Sequence, residues 1–272
     1  MTGHIRAVTG ELHKQAKGCV ARHEPNFENP SPSYPNCAYR VNGYNEALSG
    51  SVTGALPPTS KRALYELDFT QTMPDGTPAD QYPRKRLPAA MEPFKQTGRQ
   101  KKADKLAGVA RQMFRASDPR QNRTAWFFVG RNYKVWSTPF GHEYHHIMPE
   151  EALLESLSDT ELDLLVAAEY NINDGKNIII LPITRDVAYA LMLPRHKGWH
   201  SSYNRECAAI IESIRRELSE SQPEHEVTEE NKGAVANTLE SWSDMTYWHI
   251  VEHGRASAKN GTFTTLNKMF QA

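Results

Sequence analysis

The sequence predicts an α+β fold, and three features carry that reading. Helical periodicity recurs through the second half of the 272 residues, as at Leu162, Leu165 and Val166. Short runs rich in β-branched and aromatic side chains stand at 124–129, 133–136 and 178–181. Residues 1–60 are rich in Pro, Asn, Ser and Gly, and no period of either kind survives there for long. These features divide the chain into a loop-rich basic region over 1–120, a core over 121–220 and an acidic, helical extension over 221–272.

Taken in order, residues 5–17 suggest one short helix and 65–69 a short strand. Met73-Pro74-Asp75-Gly76 marks a turn, and Pro83-Arg84-Lys85-Arg86-Leu87-Pro88 an exposed basic segment. Residues 91–116 read as a helix with Leu106, Val109, Met113 and Phe114 on its apolar stripe and cations over much of the rest. Runs 124–129 and 133–136, separated by Gly130-Arg131-Asn132, predict a β-hairpin, and the following stretch through His145 and His146 is extended up to Pro149. Ser158-Asp159-Thr160-Glu161 has capping-box spacing and opens a helix. Asn173-Asp174-Gly175-Lys176-Asn177 is a turn into the apolar strand 178–181. Helices then follow at 185–193, 199–218 and 234–252.

Composition narrows the functions available. No apolar run approaches the length of a membrane-spanning helix. The polar first twenty residues do not form a signal peptide, so synthesis in the cytoplasm is expected. Three cysteines are too few for a disulfide framework; a Cys19–Cys37 bridge and three thiols remain the alternatives, and the sequence favours thiols. The net charge of zero conceals an asymmetry. Residues 1–140 hold 21 Lys and Arg against 11 Asp and Glu, and the rest hold 11 against 21. Most of the excess lies over 84–134, with 14 basic and 3 acidic residues, which suits a polyanion-binding face or a solvated basic surface.

The candidate chemistry rests on two histidine pairs. His196 and His200, four apart, can turn both rings toward one metal from a single helix face, although Gly198 between them weakens that helix and leaves His196 free to sit in the loop before it. His145 and His146 are adjacent on an extended segment, so their rings point to opposite sides. One can then face a metal while the other acts as a base.

Tyr144-His145-His146-Ile147-Met148-Pro149, then Asn177 leading into Leu181-Pro182, then His196-x-Gly198-x-His200-x-x-Tyr203-Asn204 resembles the AHH family of the HNH and endonuclease VII superfamily of ββα-metal nucleases. Many of its members are toxin domains. The resemblance spans roughly residues 124–218, with Tyr144 in place of the family's alanine. It implies a ββα-metal core and a metal-dependent endonuclease. DNA is the expected substrate, RNA the alternative on the same site, and a zinc-stabilised binding module the alternative of another class. The metal ligands would be His145, His196 and His200, with His146 the general base and Asn177 orienting the His146 ring or bracing the loop behind it. One divalent ion is implied, Mg, Mn, Zn or Ni; three imidazoles favour zinc or nickel. The expected setting is a secreted antibacterial toxin with a cognate immunity protein, released through a specialised system. Plainer roles stand beside these. Asn177 can cap its turn, His142 can be a structural partner, Tyr203 and Asn204 can pack the helix, and Trp126, Trp136 and Trp199 read most simply as core.

Overall fold

Two short antiparallel strands lie at the centre of the structure, a computed structural model that describes residues 18–22, 27, 37–49, 60–66, 126–198, 200–219, 225–260, 262 and 264–269. Strand β1 is His142–His146 and β2 is Ile178–Pro182, with His145 opposite Ile179 and His146 opposite Ile178. Every β2 residue is buried, as expected of an unbroken Ile-Ile-Ile-Leu run covered on both faces. The mixed helices and small sheet make this an α+β chain.

Helix α1 (Tyr39–Ser49) crosses β2, and Gly43 permits the crossing. A Cβ at that position would stand 2.4 Å from Ile178 Cγ2 and 3.0 Å from Tyr144 Cδ1. Gly43→Ala is therefore expected to destabilise the fold by about 1–3 kcal/mol, read as a lowered denaturation midpoint with an unchanged slope.

Helices α2 (Glu150–Ser156) and α3 (Asp159–Ala167) follow β1. The capping box is present: Ser158 Oγ accepts from the Glu161 amide, and Glu161 Oε2 accepts from the Ser158 amide at 2.8 Å. The other Glu161 oxygen accepts from Arg215 at 2.7 Å and from the Val227 amide at 2.9 Å, so one buried carboxylate ties the start of α3 to the next long helix. A 3₁₀ turn (Gly175–Asn177) enters β2, and α4 (Arg185–Leu191) leaves it. Helix α5 (Ser201–Leu218) completes the ββα unit, burying Tyr203, Cys207, Ile211 and Ile214. Helix α6 (Lys232–Lys259) packs on α5, α3 and the 3₁₀ turn.

Several expectations are revised. The hairpin over 124–136 does not form in the described part: residues 130–137 are turns, with only an isolated bridge between Val135 and Thr138. Trp126, Phe128 and Tyr133 of this segment serve the core instead. Trp126, Phe128, Tyr133 and Phe140 pack ring on ring, as in the Phe128–Tyr133 stack at 4.3 Å. Tyr65 ends a 3₁₀ turn (Lys61–Leu64), its hydroxyl committed to Tyr247 and β2, and residues 67–69 of the strand read from it lie outside the described residues. Helix α5 begins at Ser201, two residues later than read, and α6 is longer at both ends than 234–252. Helix α1 went unread within a segment whose local sequence lacks a helical stripe. The helices at 5–17 and 91–116, the turn at 73–76, the basic segment 83–88 and Trp199 lie outside the described residues, as does most of the basic stretch 84–134.

Candidate metal centre

Three elements bring the predicted ligands together. His145 lies in β1, His200 is the N-cap residue of α5, and His196 is in the loop before it, fixed by its amide bonding to Pro182 O at 2.9 Å. Gly198, with φ +60°, turns the chain between the last two, so they do not share a helix. The candidate ligand atoms of His145, His196 and His200 all lie within 4.8 Å of one another. The rings stand nearly edge to face, with centroids 4.6–5.4 Å apart.

Two observations test whether this set fits a metal ion. His145 Nε2 is buried with no hydrogen-bond partner, which leaves a costly orphan unless a cation occupies its lone pair. His196 Nε2 and His200 Nε2 face each other at 3.0 Å, an arrangement that two lone pairs directed at one cation would produce. Burial lowers all three pKa values, well below the ordinary 6.5 for His145 and to about 4 for His196 and His200. Neighbouring positive charge adds to the effect, from the other histidines at His145 and His200 and from Arg22 at His196. Neutral imidazole is the ligating form. The residues present fit a divalent ion.

His146 faces away from the three, as alternation along a strand requires. Its ring lies 4.7 Å from the Tyr39 ring, and its Nε2 lies 3.2 Å from Asn173 Oδ1. The Asn173 amide nitrogen donates to Ala21 O at 2.9 Å, which orients the group and leaves Oδ1 to accept. His146 therefore carries its proton on Nε2 and keeps the Nδ1 lone pair. Burial and then the charge of Arg22 lower its pKa to about 3, with the Asn173 bond opposing them.

Asn177 does not reach His146. Its Oδ1 accepts from the Met148 amide at 2.7 Å and from Ser243 Oγ at 2.9 Å, while its Nδ2 donates to Met148 O and Ile172 O. It braces the chain leaving β1. The side chain that touches the His146 ring is Asn173, four residues earlier, which the sequence reading passed over. That reading also missed Arg22 and Tyr39, contributed from the region whose role was unreadable.

The cleft over the centre, about 320 Å³, is lined by His145, His146, His196 and His200 together with Arg22, Asn204 and the carboxylate-bearing rim of Glu143, Glu150 and Glu151. Asn204 Oδ1 is buried without a partner at this wall. Tyr203 packs instead, its hydroxyl donating to Ile147 O at 2.7 Å. His142 lies outside the cluster, its ring nitrogens 2.8 Å from Phe140 O and 3.2 Å from Tyr133 O, one of which accepts from the single N–H of the neutral ring. Trp136 corrects the core reading: it is 64% exposed.

The buried histidines predict acid lability. The unfolded chain takes up a proton at each of His142, His145 and His146 as pH falls through about 6.5, whereas in the folded chain burial holds all three below that value, His145 well below it and His146 at about 3. Stability present above pH 6.5 is thus lost on acidification, on the order of 1 kcal/mol per pH unit for each ring. A steep fall in melting temperature between pH 7 and pH 5 in chelator checks this.

A strand pair followed by a helix, with imidazoles from one strand and from the helix start converging beneath a cleft, defines the class of HNH-type nucleases, which use a metal. Residues 129–242 match AHH, a nuclease family of the HNH/ENDO VII superfamily with a conserved AHH sequence. Its reaction class is phosphodiester hydrolysis. Here the conserved triplet reads Tyr144-His145-His146, and the tyrosine points into the core, donating to Tyr133 O at 2.8 Å. No curated protein and no solved structure matches the chain.

Proposed function

We propose that the chain is a one-metal endonuclease acting on DNA, with His145, His196 and His200 as ligands and His146 as general base. The observation that supports this most is the division of labour at β1: His145 turns to the other two histidines while the adjacent His146 is held apart by Asn173 with its Nδ1 lone pair unprotonated. When bound, a divalent ion would supply Lewis-acid stabilisation of the charge developing on the phosphate and the leaving 3′-oxygen. His146 Nδ1 takes a proton from the attacking water. The arriving phosphodiester brings negative charge beside the ring, which raises its low proton affinity toward the working range. Arg22 is the cation in the cleft lining and offers a contact to the same phosphate. Outside the cleft, Arg131, Lys134 and Trp136 are exposed in one short stretch of chain, in keeping with a backbone contact that does not read sequence. Deployment as a secreted antibacterial toxin neutralised by an immunity protein is the setting implied by the motif's family.

The test offers supercoiled plasmid and total RNA together, with Mg, Mn, Ni or Zn in turn and with EDTA. Plasmid breakdown with at least one ion and none in EDTA is expected. RNA consumed ahead of plasmid would move the substrate to RNA; neither substrate cut with any ion would sink the reading and favour a zinc-stabilised binding module.

A further inference from the structure

Cys19 and Cys37 are each only 3% exposed, and with Ala21 they form a small buried cluster apart from the main core. They join two pieces of chain that both serve the metal centre. Cys19 belongs to residues 18–22, laid against residues 170–172 by bonds from its amide to Tyr170 O and from the Ile172 amide to its carbonyl, both 2.7 Å. That strap supplies Ala21 O and Cys19 Sγ to the Asn173 amide and brings Arg22 to the cleft. Cys37 stands at the foot of α1, two residues before Tyr39, whose ring covers His146. The cysteine contact therefore lies behind both neighbours of His146, its hydrogen-bond partner Asn173 and its ring partner Tyr39.

We infer that Cys19 and Cys37 are a modification site, closing to a disulfide by exchange with a small-molecule disulfide such as oxidised glutathione and locking the strap to α1 behind His146. The Cys19 thiolate attacks one sulfur of glutathione disulfide, forms a mixed disulfide and expels one glutathione thiolate. The Cys37 thiolate then attacks the Cys19 sulfur and expels the second. The two protons released by the cysteines protonate the departing thiolates, and the protein's two electrons reduce one glutathione disulfide to two glutathiones. The hydrogen bond between the thiols, and then burial, push the Cys37 thiol up, which disfavours its thiolate in the closed fold. Closure accordingly takes place as the chain folds under oxidising conditions, and the finished bond is shielded from reductant. Cys207 is the internal control. It is buried in α5 with its thiol directed to Ile147 O, and it lies outside the Cys19–Cys37 cluster.

The experiment refolds the full chain in glutathione buffers from fully reduced to fully oxidised, alkylates after denaturation and maps the peptides. A Cys19–Cys37 linkage, an intact mass lighter by two hydrogens and an alkylated Cys207 are expected, with a melting temperature higher by roughly 5 °C or more than that of the same chain in dithiothreitol. Cys37→Ala should abolish the difference between the two buffers; should that variant not fold, the comparison of oxidised with reduced parent stands by itself. Alkylation of both cysteines in every buffer, pairing with Cys207, or equal melting temperatures would overturn the inference. The expectation that the oxidised form also cleaves faster rests on the nuclease reading. A bridge that forms in a chain without cleavage in either buffer supports the disulfide and removes the nuclease.

Discussion

His146→Ala is expected to bind a divalent ion as the parent does while cleaving DNA roughly 10²- to 10⁴-fold more slowly, the usual contribution of a positioned general base. The geometry separates these two outcomes. The three rings that converge do not include His146, and its own ring nitrogen is spent on Asn173, so truncation leaves the ligand set in place. The paired change is His145→Ala, which removes the ligand whose buried Nε2 has no other partner and should abolish ion binding and cleavage together. Titration calorimetry with manganese or zinc reads the first property, and single-turnover plasmid nicking the second. Cleavage by His146→Ala at the parental rate would remove the ring from the chemistry, whatever the fate of the ion. Asn173→Ala should fall between them, because the ring stays but the acceptor that fixes its tautomer is gone. Its loss should shift the pH profile of cleavage rather than the affinity for the ion.

How much of this was legible depended on whether a residue's role is set by its own type and neighbours or by distant chain. The histidines were legible because few residue types ligate metals, and because strand alternation places 145 and 146 on opposite sides without further information. Gly198 also announced itself: a residue at φ +60° between His196 and His200 is the reason the pair straddles a helix start rather than sharing a helix. The strand 178–182 and the capping box at Ser158 were equally local signals. The aromatic runs at 124–129 and 133–136 misled, since β-propensity reports a fit to any half-buried surface, and Phe128 and Tyr133 found theirs against Tyr44 and Tyr65. Asn173, Arg22 and Tyr39 reach His146 only because residues 18–22 lie beside residues 170–172 and α1 crosses β2. Such long-range pairings leave no period in the sequence. Asn177 was selected on motif and Asn173 was not, although both stand in one turn, Asn173 before its 3₁₀ segment and Asn177 at the end of it.

Asn177→Ala is expected to cost about 3–5 kcal/mol of stability, and it separates a brace from a catalytic group. The side chain is 4% exposed and uses every hydrogen-bonding position it has, two accepted and two donated, on partners from β1's exit, residue 172 and α6. Truncation strands the Met148 amide and the Met148 and Ile172 carbonyls in the core, at about 1–3 kcal/mol for each buried group left without a partner. It also leaves a cavity between strand and helix. Ser243 Oγ is less affected, because it also donates to Leu239 O within α6. Asn177→Asp should be no gentler despite its matching shape: an oxygen replaces Nδ2 and faces two carbonyl oxygens at 3.1 and 2.8 Å, so a carboxylate is repelled where the amide donated. Chemical denaturation should show both variants with midpoints well below that of the parent. Measured per folded molecule at a temperature where the alanine variant is intact, its cleavage should fall by less than tenfold, because the His146 ring keeps Asn173. A loss of cleavage as deep as that of His146→Ala, in protein shown to be folded, would return Asn177 to the chemistry.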